Sequence, residues 1–250
     1  MKPIDRKEIL SAIRARIEPD PDVLAMFEGG SAAFRRSDEW SDIDLQIITA
    51  ENAVARAAEL AEEALAGVAE IEMRVELPMP TWHGHYQIFY RFANASPFLL
   101  LDLVIMQVSS PNKFLEREIH GERVVHFDKG DYTHPPALDE AEFALSRARA
   151  MDLQRGRFEI GRLFVTKEIN RSNPIGALAF YYSMTLNPLV MALRTQHAPY
   201  HYNFGTHSIQ HDLPGDVLAR LEQLYFVKDG EDLRNKHAEA TQWFDELTRE

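Results

Sequence analysis

Two aspartates one residue apart, Asp42 and Asp44, open an alternating apolar run that begins eleven residues after a Gly29-Gly30-Ser31 turn. Side chains in a β-strand alternate faces, so both acids point one way while Ile43, Leu45 and Ile47 point the other. Like charges held side by side repel, and a divalent cation with oxygen ligands is the natural compensation. At the turn, Gly29 and Gly30 lack a Cβ and let the backbone approach a bulky ligand. Ser31 reads as the N-cap of a short helix starting at Ala32, its hydroxyl and the following N–H groups facing an anion. Phosphate at the turn and metal on the carboxylates describe a site for a nucleoside triphosphate–Mg²⁺ complex.

The elements that must position these residues fall into two halves. Residues 5–18 read as an amphipathic helix with Ile9, Leu10, Ile13 and Ile17 on one side, ended by Glu18-Pro19-Asp20-Pro21. Val23 to Phe27 leads into the glycine turn. After the acid strand, Glu51 to Val68 reads as an Ala-rich helix. Strands follow at about Ile71–Leu77, Tyr86–Phe92 and Phe98–Val108, paired antiparallel through short turn-rich loops, with a last short strand at Arg123–Phe127. Asp128 to Pro136 is rich in turn formers and marks the boundary. Beyond it the pattern is helical: Leu138–Asn170, long or kinked with weak points at Gly156 and Gly161; Pro174–Thr195, broken near Asn187-Pro188; Pro214–Val227; and Asp232–Thr248.

The chain has 250 residues, 45% of them hydrophobic, and no cysteine, which excludes disulfides, thiolate nucleophiles and Cys-based zinc sites. The charged opening, Met1 to Glu8, carries no apolar signal region. An uncharged run over 173–193 is long enough to raise the membrane question, but its asparagines, prolines and paired tyrosines fit a buried core helix. A cytoplasmic protein with no membrane partner is expected. The net charge of −12 argues against a nucleic-acid partner. From Arg147 to Arg171 the balance inverts, with seven basic and three acidic residues. Arg149, Arg157, Lys167 and Arg171 share one side of a helix there.

The stretch GGSAAFRRSDEWSDIDLQII resembles the signature of the polymerase-beta-type nucleotidyltransferase superfamily, Gly-Ser followed after about ten residues by Asp-x-Asp. The form GS…SDIDL is most similar to its small bacterial members, including the aminoglycoside nucleotidyltransferases. The resemblance implies a third carboxylate on a neighbouring strand, and Asp102, alone in the apolar run Pro97–Met106, fills that place; an acid there is costly to bury without a partner. It also implies an α+β architecture: an N-terminal nucleotidyltransferase domain (1–134) with a mixed β-sheet flanked by helices, then a C-terminal helical bundle domain (135–250) that binds substrate and nucleotide. Asp42, Asp44 and Asp102 are then the catalytic and metal residues, holding two Mg²⁺ ions. Gly30, Ser31 and Ser41 cradle the phosphates of ATP or another triphosphate, and Lys167 is the contact from the helical half. Arg194 and Tyr181-Tyr182 are weaker candidates. Where family members often carry Gly soon after the serine, this chain has Phe34-Arg35-Arg36, which narrows the triphosphate pocket or donates to it.

The implied reaction is metal-dependent transfer of a nucleoside monophosphate, AMP from ATP, to a hydroxyl of a small-molecule acceptor, releasing pyrophosphate. Two alternatives stay open: a nucleotide-binding antitoxin-like or regulatory protein, and an enzyme that adenylylates a protein. A nucleotide-sugar glycosyltransferase would need a βαβ domain ahead of the motif, and only some forty residues precede Asp42. His197, His201, His207 and His211 include two i, i+4 pairs, but Pro199, Asn203 and Gly205 predict a loop lining the ligand cleft rather than a zinc helix.

Overall fold

A computed structural model describes residues 3–249; the outermost residues of both predicted domains, 1–2 and 250, lie outside the described residues. The chain forms two compact units, the first ending at Leu138 and the second beginning at Asp139.

The first unit opens on helix α1 (Arg6–Ile17), started by a capping box in which Asp5 accepts the Glu8 N–H at 2.9 Å and Glu8 accepts the Asp5 N–H at 3.1 Å. Strand β1 (Val23–Glu28), the single turn α2 (Gly30–Ala33), strand β2 (Ile43–Thr49) and helix α3 (Val54–Val68) follow. The hairpin β3 (Ile71–Glu76) and β4 (Tyr86–Phe92) leads to β5 (Leu100–Gln107), α4 (Arg117–His120) and β6 (Val124–Asp128). The sheet order is β3-β4-β5-β2-β1-β6, mixed because β2 and β5 run parallel while the other pairs are antiparallel. Helix α3 starts at Val54 rather than Glu51 because Asn52 takes a left-handed turn (φ +63°), its N–H held by the Gln107 side chain at 2.8 Å.

One sheet face packs on α1 and α3. Ile43, Leu45 and Ile47 of β2 and Leu101, Leu103 and Ile105 of β5 are fully buried there with Ile9, Ile13, Leu60 and Leu65. Burying each such side chain contributes roughly 1.5–3 kcal/mol. Because the strand period is two, a one-residue slip of β2 would drive Asp44 into this core and expose Leu45, so the core fixes the acids' face.

Glu28, at the end of β1, ties three elements together. It is buried, pairs with the Arg6 guanidinium of α1, and accepts from His126 Nε2 of β6 at 2.9 Å. Burial pushes its carboxyl up, but the His126 hydrogen bond and the Arg6 charge and hydrogen bond outweigh it and leave the pKa below the ordinary carboxylate value. A depressed folded-state pKa contributes stability above the unfolded value, lost as pH falls through the folded one. Glu28→Gln is therefore expected to cost about 1.5–3 kcal/mol at neutral pH and to flatten the acid limb of stability against pH in urea titrations. An unchanged acid limb would contradict this role.

The second unit is helical: α5 (Glu140–Asn170), α6 (Pro174–Phe180), a wider π turn (Tyr181–Leu186), α7 (Asn187–His197), α8 (Gly215–Tyr225) and α9 (Gly230–Thr248). Where the sequence predicts a break near Asn187-Pro188, the helix continues through the π turn. Pro188 lacks the N–H that would bond the Met184 carbonyl, and the wider turn absorbs the defect. Gly161 is a close-approach point rather than a weak one, since a Cβ there would lie 2.6 Å from the Met184 carbonyl oxygen. The apolar stretch Pro174–His197 is long enough to cross a membrane by length and composition, but Leu186, Leu189, Val190 and Leu193 are buried in this unit's core.

Candidate active site

The acids occupy the start of the two parallel strands, on the sheet face opposite α1 and α3. Asp44 of β2 and Asp102 of β5 are register partners, so neighbouring strands carry them side by side. Asp42 sits one step before β2, its carbonyl accepting from Arg6 Nη1 at 2.7 Å, so the Arg6–Glu28 pair also fixes where the acid strand begins. Burial pushes the Asp102 carboxyl above the ordinary carboxylate range; the Gln87 amide opposes the rise and the Asp42 charge adds to it.

The glycine turn touches the same point. Gly29 N–H donates to the Asp44 carbonyl at 3.0 Å, and Gly30 adopts φ +50°. A Cβ on Gly30 would lie 1.8 Å from Asp44 Oδ2 and 2.4 Å from its Cγ, so the carboxylate fills the space a side chain would need. Gly30→Ala is expected to swing Asp44 away from Asp102, lowering turnover about a hundredfold while the left-handed backbone costs about 1–2 kcal/mol. Initial rates beside a thermal melt check both; an alanine variant turning over at the parent rate would contradict the assignment.

Other predicted residues fare differently. The N-cap of α2 is Gly29, not Ser31; Ser31 lies inside the turn, its hydroxyl 3.2 Å from that of Ser37. The Ser41 hydroxyl is engaged within its own loop, donating to Asp38 Oδ1 at 2.7 Å and accepting the Asp38 N–H at 2.9 Å. That turn presents Trp40, which meets Phe98 edge-to-face at 4.6 Å; both rings are more than half exposed, just ahead of Asp42 and Asp102 in sequence. The Arg36 guanidinium lies 5.1 Å over the Phe34 ring.

Lys167 belongs to the second unit, near the end of α5, its ammonium 5.8 Å from the Phe164 ring. Arg194 is fully buried and structural. It bonds Asp212 and the carbonyls of Gly205 and His207, so it has no free donor face for a triphosphate. The Tyr181 and Tyr182 hydroxyls donate to the Leu224 and Tyr225 carbonyls.

Sequence reasoning missed Gln87, His83 and Arg6. Gln87 Nε2 lies 2.8 and 2.9 Å from the two Asp102 oxygens. Its signal was a lone amide at the second position of the largely apolar strand Tyr86–Phe92. A cavity of about 530 Å³ in this unit is lined by Ala58, Glu62, Arg74, His85 and Tyr86, and the three acids are not among its walls.

Among the described residues, no three acid or imidazole side chains are gathered into a ready metal cage. Asp42, Asp44 and Asp102, which the sequence predicts as one set of metal ligands, are therefore not gathered as such a group. The donors that the three side chains offer are all oxygen, the kind that Mg²⁺ takes together with substrate phosphates.

No family model matches the chain, and no curated protein matches it. Among solved structures, it is similar to an aminoglycoside 6-adenyltransferase from Bacillus subtilis (12% identity, TM-score 0.37, 98% of this chain and 89% of that one). It is similar to a nucleotidyltransferase-like protein from Exiguobacterium sibiricum (14% identity, TM-score 0.39, 97% and 75%). A third is a spectinomycin adenyltransferase from Enterococcus faecialis, solved with ATP and spectinomycin (8% identity, TM-score 0.38, 96% and 100%).

Proposed function

We propose that this protein is a metal-dependent nucleotidyltransferase that moves a nucleoside monophosphate, AMP from ATP, onto a hydroxyl of a small molecule. The observation that carries the reading is the meeting of Asp44 and Asp102 in parallel register, beside Asp42 and a glycine turn that only glycine can make. Residues 1–134 act as the catalytic domain and 135–250 as a helical domain contributing nucleotide and acceptor contacts, with Lys167 among them. The protein works in the cytoplasm and needs neither nucleic acid nor membrane.

Asp42, Asp44 and Asp102 would hold Mg²⁺, whose contribution is to neutralise charge developing on the phosphates. The Gly30-Ser31 turn receives the β- and γ-phosphates through N–H groups that have no intrahelical partner at the start of α2. Asp102 faces the acceptor hydroxyl and favours its deprotonation. The acceptor oxygen bonds to the α-phosphorus as the α–β bridging bond breaks, and pyrophosphate leaves. Trp40 and Phe98 offer aromatic faces beside the acids for a base or sugar ring.

A pyrophosphate-release screen tests this, with the four triphosphates against a panel of hydroxylated small molecules, with and without Mg²⁺. Release that requires both Mg²⁺ and an acceptor is expected. Binding of the triphosphate with no release for any acceptor would overturn it.

A further inference from the structure

We infer that Gln87 is a positioning residue for Asp102, locked in one amide orientation by His83, and that it restricts Asp102 to single-oxygen contacts with its ligands. The inference rests on the nucleotidyl-transfer reading for what Asp102 does, and on hydrogen bonds alone for how it is held.

The chain of bonds begins at the loop before β4. His85 N–H donates to His83 Nδ1 at 3.1 Å. A backbone amide can only donate, so Nδ1 is the unprotonated nitrogen and the ring proton sits on Nε2. His83 Nε2 lies 3.0 Å from Gln87 Oε1, and by this assignment it donates there. The loop carrying His83 is closed by Thr81, whose hydroxyl donates to the His85 carbonyl at 2.6 Å. With its oxygen fixed on His83, Gln87 turns its NH₂ toward Asp102. A flipped amide would set oxygen against the carboxylate and N–H against N–H, so both ends enforce one state. Gln87 is buried, so an unmatched amide would be costly there.

The contact has a chemical consequence. Gln87 Nε2 is nearly equidistant from Oδ1 and Oδ2, and therefore sits on the edge where a carboxylate would chelate a cation through both oxygens. That edge is closed. Asp102 keeps its outer lone pairs, one oxygen at a time, for a metal or a hydroxyl. The amide thus holds the carboxylate plane in one orientation, which is what a group accepting a proton along a defined line requires.

The test compares Gln87→Met, His83→Leu and His83→Gln with the parent, and Asp102→Asn as reference. Methionine keeps the volume of Gln87 without its polar atoms, and glutamine at position 83 restores a donor to Gln87. Gln87→Met is expected to lower kcat about 10–100-fold with the triphosphate KM unchanged, His83→Leu to follow it, and His83→Gln to recover most of the loss. A readout free of substrate accompanies the rates. In ¹⁵N-edited NMR, the Gln87 side-chain NH₂ should exchange slowly with solvent in the parent and in His83→Gln, and rapidly in His83→Leu. Thermal melts establish that each variant is folded, and the amide exchange decides the relay even where a rate is lost. If Asp102→Asn is inactive while Gln87→Met and His83→Leu keep the parent kcat, or if amide exchange is the same in all three, this inference falls. If Asp102→Asn itself turns over at the parent rate, the nucleotidyl-transfer reading falls instead.

Discussion

Asp44→Asn is expected to cut turnover by about a thousandfold and leave the fold intact. The side chain keeps its size and can still rest against Gly30, but it loses the charge that would compensate a metal-bound triphosphate. A metal's stabilisation of transition-state charge amounts to several kcal/mol; losing about 4 kcal/mol of it is three factors of ten in rate. The same substitution removes one of three like charges, so the thermal midpoint should hold or rise slightly. Initial rates of pyrophosphate release at saturating Mg²⁺ and triphosphate, beside a thermal melt, measure both. A variant within about twofold of the parent would show that Asp44 carries no metal, since a contribution of that kind cannot be lost so cheaply.

Arg194→Met is expected to destabilise the second unit by about 3–5 kcal/mol. The guanidinium is fully buried on α7 and gathers the loop that follows it: Nε donates to the Gly205 carbonyl at 2.7 Å, one Nη to Asp212 and the other to the His207 carbonyl. His201 Nδ1 lies 3.0 Å from the same Asp212 oxygen. Removing the cation strands a buried carboxylate and several carbonyls at once. Replacing Asp212 as well should recover only part of the loss, because the carbonyls of Gly205 and His207 would still lack donors. Urea unfolding followed by far-UV circular dichroism gives the energy, and hydrogen exchange over 199–212 should rise. Stability within 1 kcal/mol of the parent would contradict the role, as a buried unpaired charge costs more than that.

Much of the architecture was written in local pattern. The alternation in Ile43-Asp44-Leu45-Gln46-Ile47 required one buried face, and the structure puts all three apolar residues in the core. The strands, the Ala-rich helix and the helical second half were visible because each has its own period and its own stops. The parallel pairing of β2 with β5 was not, because it depends on the chain returning across α3 and a hairpin, which no local pattern encodes. Ser41 reads as a phosphate contact in the sequence; that Asp38, three residues before it, engages the same hydroxyl is seen only in the fold. Arg194 reads as a ligand contact in the sequence because its partner Asp212 lies eighteen residues on, beyond any helical spacing. Gln87 carries no such signal, because an amide in a strand looks like an edge residue until its neighbour is known to be Asp102. Local rules reach the elements; contacts between distant segments decide which polar groups are spent on structure and which remain for a ligand.

Electron paramagnetic resonance of Mn²⁺ tests the heart of the account most directly, since the bound ion loses the sharp signal of the free one. Mn²⁺ with ATP, titrated with the parent protein, should show that signal diminishing beyond its level with ATP alone, and Asp42→Asn/Asp44→Asn should abolish the additional loss. A doubly substituted protein that took up Mn²⁺–ATP as tightly as the parent would mean that these carboxylates do not gather the metal and its nucleotide.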